Sequence, residues 1–169
     1  MNKRGQFYLI MAVIVIVLIL SLAIIVNELK KENFKSLESS AEELKIESQA
    51  VLDHISYTGV VDKQNFLDTF ARNYFDYSNV DNLYFIFGTS TEVTVAARQK
   101  KFSGEILVND VKLEIEQNTY SAQTYTELGN DIELTINEIV HSFELKSGEN
   151  FYFVISEGEE DGNYFFAQN

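Results

Sequence analysis

Leu83-Tyr84-Phe85-Ile86-Phe87 is apolar at five successive positions. A strand sends alternate side chains to opposite faces, so a run with no polar member is buried on both sides, as a central strand is. From Asn82 onward the period is two. Val93, Val95 and Ala97 alternate with Thr94 and Ala96. Ile106 and Val108 lead into Asn109-Asp110, after which Val111, Leu113 and Ile115 alternate with Lys112, Glu114 and Glu116. Apolar alternation on each side of a two-residue Asn-Asp turn predicts a hairpin. Ile132, Leu134 and Ile136 alternate with Glu133, Thr135 and Asn137. Phe143 and Leu145 precede the turn Ser147-Gly148-Glu149-Asn150; Phe151, Phe153 and Ile155 follow it, and Tyr164 to Ala167 makes a last strand. Seven or eight short strands at this spacing predict an antiparallel β-sandwich over residues 82–169.

Before residue 82 the period lengthens to that of helices. Asp62 is placed to cap a helix of about fifteen residues running to near Ser78. Its apolar face is Phe66, Phe70 and Tyr74 with Leu67 and Tyr77, an aromatic stripe of the kind that enters a core. Residues 58–81 are thus a second helix and its connections. Residues 27–57 read as an amphipathic helical extension, with Phe34, Leu37, Ala41, Leu44, Ser48, Val51 and Ile55 spaced three and four apart. This stripe has two candidate partners: the chain's own globular part, or the same helix in neighbouring subunits. Ser48 in the seam, and a length of three to four heptads, speak against a free-standing coiled coil.

The run from Phe7 to Val26 is almost unbroken in its apolarity. Only Tyr8 and Ser21 carry polar groups, and fifteen of its twenty residues are Phe, Leu, Ile or Val. As a helix it measures roughly 30 Å, the thickness of a bilayer's hydrocarbon core, which predicts a transmembrane helix over residues 6–26. Residues 1–5, Met-Asn-Lys-Arg-Gly, form a basic leader in front of it. Three readings stand: a plain signal anchor with Lys3 and Arg4 held inside, a cleaved secretory signal, and a leader cut ahead of the apolar helix. The secretory reading lacks a cleavage site after the run, because Ser21-Leu22-Ala23 lies inside it and is followed by Ile24-Ile25-Val26.

Lys3-Arg4-Gly5-Gln6-Phe7-Tyr8-Leu9-Ile10 resembles the class III signal peptide of archaeal type IV pilin-like proteins: a basic pair, a glycine at the cut, then Gln opening a long apolar helix. The resemblance implies recognition of Lys3 and Arg4 and cleavage between Gly5 and Gln6 by a prepilin-type peptidase. Glycine suits a cleft that must draw in an uncluttered backbone. It also implies that the helix, through residues such as Phe7, Leu9, Ile10, Val13, Ile16, Leu20 and Ile24, serves as anchor and later as filament core. Bacterial-type pilins carry glutamate at the fifth position after the cut, where this chain has Ile10.

All 26 acidic residues lie beyond Val26, against eleven of the thirteen Lys and Arg, so residues 27–169 carry a formal charge of −15. That field repels nucleic acid and anionic lipid headgroups, and excludes nucleic acid as a partner. The chain has no cysteine, hence no disulfide or thiolate chemistry, and no proline to interrupt a long helix or blunt a strand edge. No Asn-x-Ser/Thr sequon is present.

Catalytic motifs are missing: there is no P-loop, no Gly-x-Ser-x-Gly and no Gly-x-Gly-x-x-Gly. The two histidines, His54 and His141, show no metal-ligand spacing. The expectation is therefore a protein that is not an enzyme and takes no cofactor. Glu157, Glu159, Glu160 and Asp161, closed by Gly162-Asn163, are hard oxygen donors on a turn and have two readings: a calcium site, or a solvated hairpin tip. The cluster from Asp76 to Asp81 is a weaker case and reads as the stop of the second helix.

The expected fold is α+β: a long N-terminal helix (transmembrane, then amphipathic), a second short helix, and a C-terminal antiparallel β-sandwich. The expected location is the cell membrane, single-pass, with a cytoplasmic N-terminus, the acidic part outside, and a surface filament as a further destination. The expected function is a pilin-like structural subunit or minor component of an archaeal surface filament or assembly, partnered by the membrane and by identical or related subunits. The alternative is a membrane-tethered adhesion or binding module that never polymerises.

Overall fold

The computed structural model describes the backbone of residues 3–78, 80–101, 104–158 and 164–168, and the side chains of residues 15–17, 19–21, 37–78, 80–101 and 104–158. The chain divides into two compact units, residues 1–36 and 37–169. The described residues form helix α1 (Lys3–Thr58) and helix α2 (Lys63–Tyr77), then strands β1 (Asn82–Gly88), β2 (Glu92–Gln99), β3 (Gly104–Val108) and β4 (Val111–Ile115). After these come β5 (Ser121–Thr126), β6 (Asp131–Ile136), β7 (Ile139–Glu144), β8 (Asn150–Gly158) and β9 (Tyr164–Gln168).

The expected long N-terminal transmembrane helix is corrected by the structure. Among the described residues no helix is long and apolar enough to cross a membrane. The helical stretch of the second unit, residues 37–58, exposes Glu38, Glu42, Glu43, Lys45 and Asp53 and buries Leu37, Leu44 and Ile55. A helix charged along one side and buried along the other is a surface helix of the head and not a membrane span, as the spacing of residues 27–57 leads one to expect. Most side chains of the run 7–26 lie outside the described residues.

The second unit is built outward from β1. In one sheet the strand order is β5-β2-β1-β8-β9, and in the other β4-β3-β6-β7, every pairing antiparallel. All seven residues of β1 are buried. Tyr84 and Ile86 point into the layer between the sheets, where they meet Val93 and Val95 of β2, Ile106 and Val108 of β3, and Leu134 and Ile136 of β6. Leu83, Phe85 and Phe87 point the other way, into a second core with Leu37, Leu44 and Ile55 of α1 and Leu67, Ala71, Tyr74 and Phe75 of α2. The head thus has three layers: helices, a five-stranded sheet, and a four-stranded sheet. The helical layer covers the five-stranded sheet because that sheet is apolar on both faces, whereas the outer face of the other is polar. β6, for example, alternates exposed Asp131 and Glu133 with buried Ile132, Leu134 and Ile136.

Local chemistry fixes the connections. The Asp62 carboxylate accepts a 3.0 Å hydrogen bond from the Asn65 backbone N–H and caps α2. The β3–β4 hairpin turns on Asn109 (φ 45°) and Asp110 (φ 66°), as its dipeptide predicts. The β6–β7 hairpin uses the same left-handed pair at Asn137 (φ 49°) and Glu138 (φ 68°). Both match the twist that two-residue hairpins need. Asn109 does more than turn: its Oδ1 accepts from Glu133 N at 2.7 Å, and its Nδ2 donates to Asp131 O at 3.1 Å. It therefore sutures the hairpin to β6.

Phe85 is fully buried, with ring centroids 5.0 Å from Phe75 and 5.1 Å from Phe151. Phe85→Ala is expected to destabilise the head by about 3–5 kcal/mol. Glu138→Gly, by relieving a side chain held at positive φ, is expected to stabilise it by about 1 kcal/mol. Denaturant unfolding of the two variants beside the parent checks both signs.

Candidate functional site

The residues expected to be read by a leader peptidase, Lys3, Arg4, Gly5 and Gln6, have side chains outside the described residues, as do Phe7, Leu9, Ile10, Val13 and Ile24 of the apolar run. Ile16 and Leu20 are described, and they are 55% and 57% exposed; Val15, Val17 and Ile19 are exposed to a similar degree. Residues 15, 16 and 17 are successive positions of a helix, each turned about 100° from the last. Their shared exposure, with that of Ile19 and Leu20, leaves an apolar surface at these described positions.

The amphipathic stripe finds its partner within the head. Leu37, Leu44, Ser48 and Ile55 are buried, and Ala41 and Val51 pack partly buried against the same core. The Phe34 side chain is outside the described residues. Ser48, the polar member of the seam, is satisfied by its own helix through a 3.0 Å bond from its Oγ to Lys45 O. Polar ties fasten α1 to α2. The Tyr77 hydroxyl donates to Glu47 Oε2 at 2.5 Å, and His54 stacks on Phe66 at 5.7 Å between centroids. Burial, with Glu43 and Glu47 close by, pushes the Tyr74 hydroxyl up to about 12. Burial and the bond to Glu47 push Tyr77 up as well. Of the two partners open to this stripe, the head is the one observed.

Of the acidic turn, Glu157 is described, while Glu159, Glu160 and Asp161 lie outside the described residues. The Glu157 carboxyl is raised above its ordinary value by burial and then by Asp81, against the pull of Lys101, which is itself 2.6 Å from Asp81. Among the described residues no group of three or more His, Asp and Glu is placed to hold a metal ion. His54 belongs to the helical layer and His141 to β7, on the inner side of the other sheet, so the two are not brought together.

A different constellation stands out at the edge of the helical layer, where Arg72, Phe75, Asp76, Arg98, Asn118 and Tyr120 line a cavity of about 150 Å³. Arg72 comes from α2; its Nε donates to Asp68 Oδ2 at 2.8 Å, and its guanidinium lies 4.0 Å over the Tyr120 ring. Tyr120, in the connection before β5, donates its hydroxyl to the other oxygen of Asp68. Burial, and then that bond, push the Tyr120 hydroxyl well above its ordinary range. Arg98 comes from β2 and sits 5.4 Å over the Phe75 ring. Its side chain is 11% exposed, and burial lowers its pKa. The nearest carboxylate, Asp76, is 3.9 Å away and largely in solvent. Sequence reasoning passed over these residues because they are distant in the chain. The signal was there in composition, since Arg72 and Arg98 are two of only three arginines in 169 residues.

No family model, no curated protein and no solved structure matches this chain.

The raised Glu157 carboxyl gives a pH dependence with a definite sign. A carboxyl whose folded pKa is raised binds its proton more tightly in the fold than in the unfolded chain, so its contribution is most favourable below the usual carboxylate range. It is lost as pH rises through the raised value. Glu157→Gln removes that loss, so its stability advantage over the parent is expected to grow between about pH 4 and pH 7. Thermal unfolding of both proteins across that range checks it.

Proposed function

We propose that this chain is a pilin-like structural subunit or minor component of an archaeal surface filament or assembly, with its acidic head facing outward. The observation that carries the reading is the conjunction at the N-terminus. Lys3-Arg4-Gly5-Gln6 stands directly ahead of a twenty-residue apolar run, and the described part of that run, at residues 15–17, 19 and 20, is exposed.

The described core residues of the head accord with this reading. Its two cores are closed by residues from Leu37 onward, among the described residues. In this reading the apolar run associates with identical or related segments of neighbouring copies. Each Leu- or Ile-sized side chain so buried contributes roughly 1.5–3 kcal/mol, so a few of them sustain an assembly. The stripe of residues 37–55 is not the assembly element, because it is already spent on the head.

Leader removal prepares the segment. Cutting after Gly5 by a prepilin-type peptidase discards Lys3 and Arg4, the charges that would otherwise have to be buried beside the apolar run. The mature chain then begins at Gln6 with an uncharged side chain, and every other charged side chain lies beyond Val26.

N-terminal peptide mass spectrometry of the protein from its native cells is expected to find a chain beginning at Gln6, or at the pyroglutamate formed from it. Gly5→Leu is expected to leave Met1 to Gly5 in place. Ile16→Glu is expected to abolish assembly while the head unfolds at an unchanged temperature. A native chain that keeps residues 1–5 removes the filament reading and favours a tethered surface module that binds without polymerising.

A further inference from the structure

We propose that Arg72 and Arg98 form a receptor for a single carboxylate group, seated in the cavity they share with Phe75, Asn118 and Tyr120. The inference is independent of the filament reading, and either can fail without the other.

The argument starts from scarcity. The chain carries ten lysines and three arginines; one arginine is in the leader, and the other two converge on one cavity of about 150 Å³. Lysine serves for solubility and loose surface pairs, whereas the planar guanidinium is the group that grips a carboxylate with two parallel hydrogen bonds. Both guanidinium groups are held in place by rings, Arg72 over Tyr120 and Arg98 over Phe75, and the two rings meet edge to face at 5.2 Å. Long flexible side chains are thereby fixed before any ligand arrives, which lowers the entropy lost on binding.

The hydrogen bonds are incomplete in the right place. Arg72 is tied to Asp68 through Nε, and Asp68 is fully engaged by that bond and by the Tyr120 hydroxyl. Among the described residues the terminal amino groups of Arg72, whose side chain is 55% exposed, make no hydrogen bond, and neither does the side chain of Arg98. The one carboxylate facing Arg98, Asp76, stays at 3.9 Å with its side chain 86% exposed, beyond hydrogen-bond reach and weakened by solvent. A guanidinium buried to this degree ordinarily has a carboxylate in direct contact. Here that position is the cavity itself. Its volume suits a carboxylate on a short stem.

Two sources present this chemistry: a small free organic acid, and a Glu or Asp side chain on an acidic polypeptide, a second copy of this chain included. Side-chain Nε–H resonances of the full chain test the proposal well, because three arginines give three signals. The probes are sodium acetate, a blocked Gly-Glu-Gly peptide and inorganic phosphate, with sodium chloride at matched ionic strength as the control. Saturable movement of the Arg72 and Arg98 signals with acetate, the Arg4 signal staying still, is the expected result and assigns a free acid as sufficient. Movement with the peptide alone assigns an acidic chain. Movement on concentrating the protein, reversed by acetate, assigns a second copy. Arg98→Lys is expected to weaken acetate binding several-fold with an unchanged amide spectrum. Asp76→Asn, at an exposed position, removes the internal competitor and is expected to strengthen binding several-fold. Signals that follow sodium chloride alike, or move with phosphate but not acetate, or a D76N chain that binds no better than the parent, would overturn the assignment.

Discussion

Everything in the head depends on a strand that has no polar face. The five central residues of β1 put large apolar side chains on both sides of a sheet, and water is excluded from both. A two-layer sandwich buries one face of each sheet and leaves the other to solvent. It cannot satisfy Leu83, Phe85 and Phe87 together with Tyr84 and Ile86. A third layer is obligatory, and the amphipathic stripe of α1 and the aromatic stripe of α2 supply it. The stripe of α1 is thus explained by β1 as much as by its own spacing.

This dependence shows which parts of the fold were legible in sequence. Where one residue type carries the decision, the reading succeeds: Asp62 as a helix cap, Asn109-Asp110 as a hairpin turn, the unbroken apolarity of β1. The polar strand β5 escaped notice because, of its six residues, only Tyr125 is buried; an edge strand paired on one side needs little apolar surface. The start of β7 escaped for a different reason. Glu138 occupies the second position of a left-handed turn that glycine usually holds, so Asn137-Glu138 does not announce a hairpin. The transmembrane assignment over residues 6–26 came from apolarity alone, and among the described residues no helix is long and apolar enough to cross a membrane; the amphipathic spacing of the residues that follow does appear, at 37–55, as a charged side and a packed side.

The candidate sites divide along the same line. A leader is a contiguous signal, so Lys3 to Gln6 can be read directly. The arginine cavity is assembled from α2, β2 and the connection before β5, which are neighbours only because β2 pairs with β1 and α2 lies across them. Periodicity cannot reveal that meeting. It correctly placed Tyr74 and Phe66 on the buried side of α2, but said nothing about Arg72 on the flank of the same helix or about what Arg98 would face.

The acidity of the head also has a structural use. Two sheets expose four edges, β5, β9, β4 and β7, and the chain has no proline with which to interrupt any of them. Open edges on crowded copies invite strand-to-strand pairing. At β4 and β7 charge does the blocking. β4 carries Lys112 between Glu114 and the neighbouring Glu105, with an ion pair to each, while β7, which exposes Val140, is flanked by Glu138 and Glu144. Over a Debye length of roughly 10 Å, heads that carry a formal −16 over residues 37–169 repel at their edges before backbones can pair. Repulsion of that range leaves association to short-range apolar contact elsewhere in the chain. A chain that gathers through one end and stays apart at the other, as proposed above, is served by that division of charge: every acidic residue lies beyond position 26, and none before it.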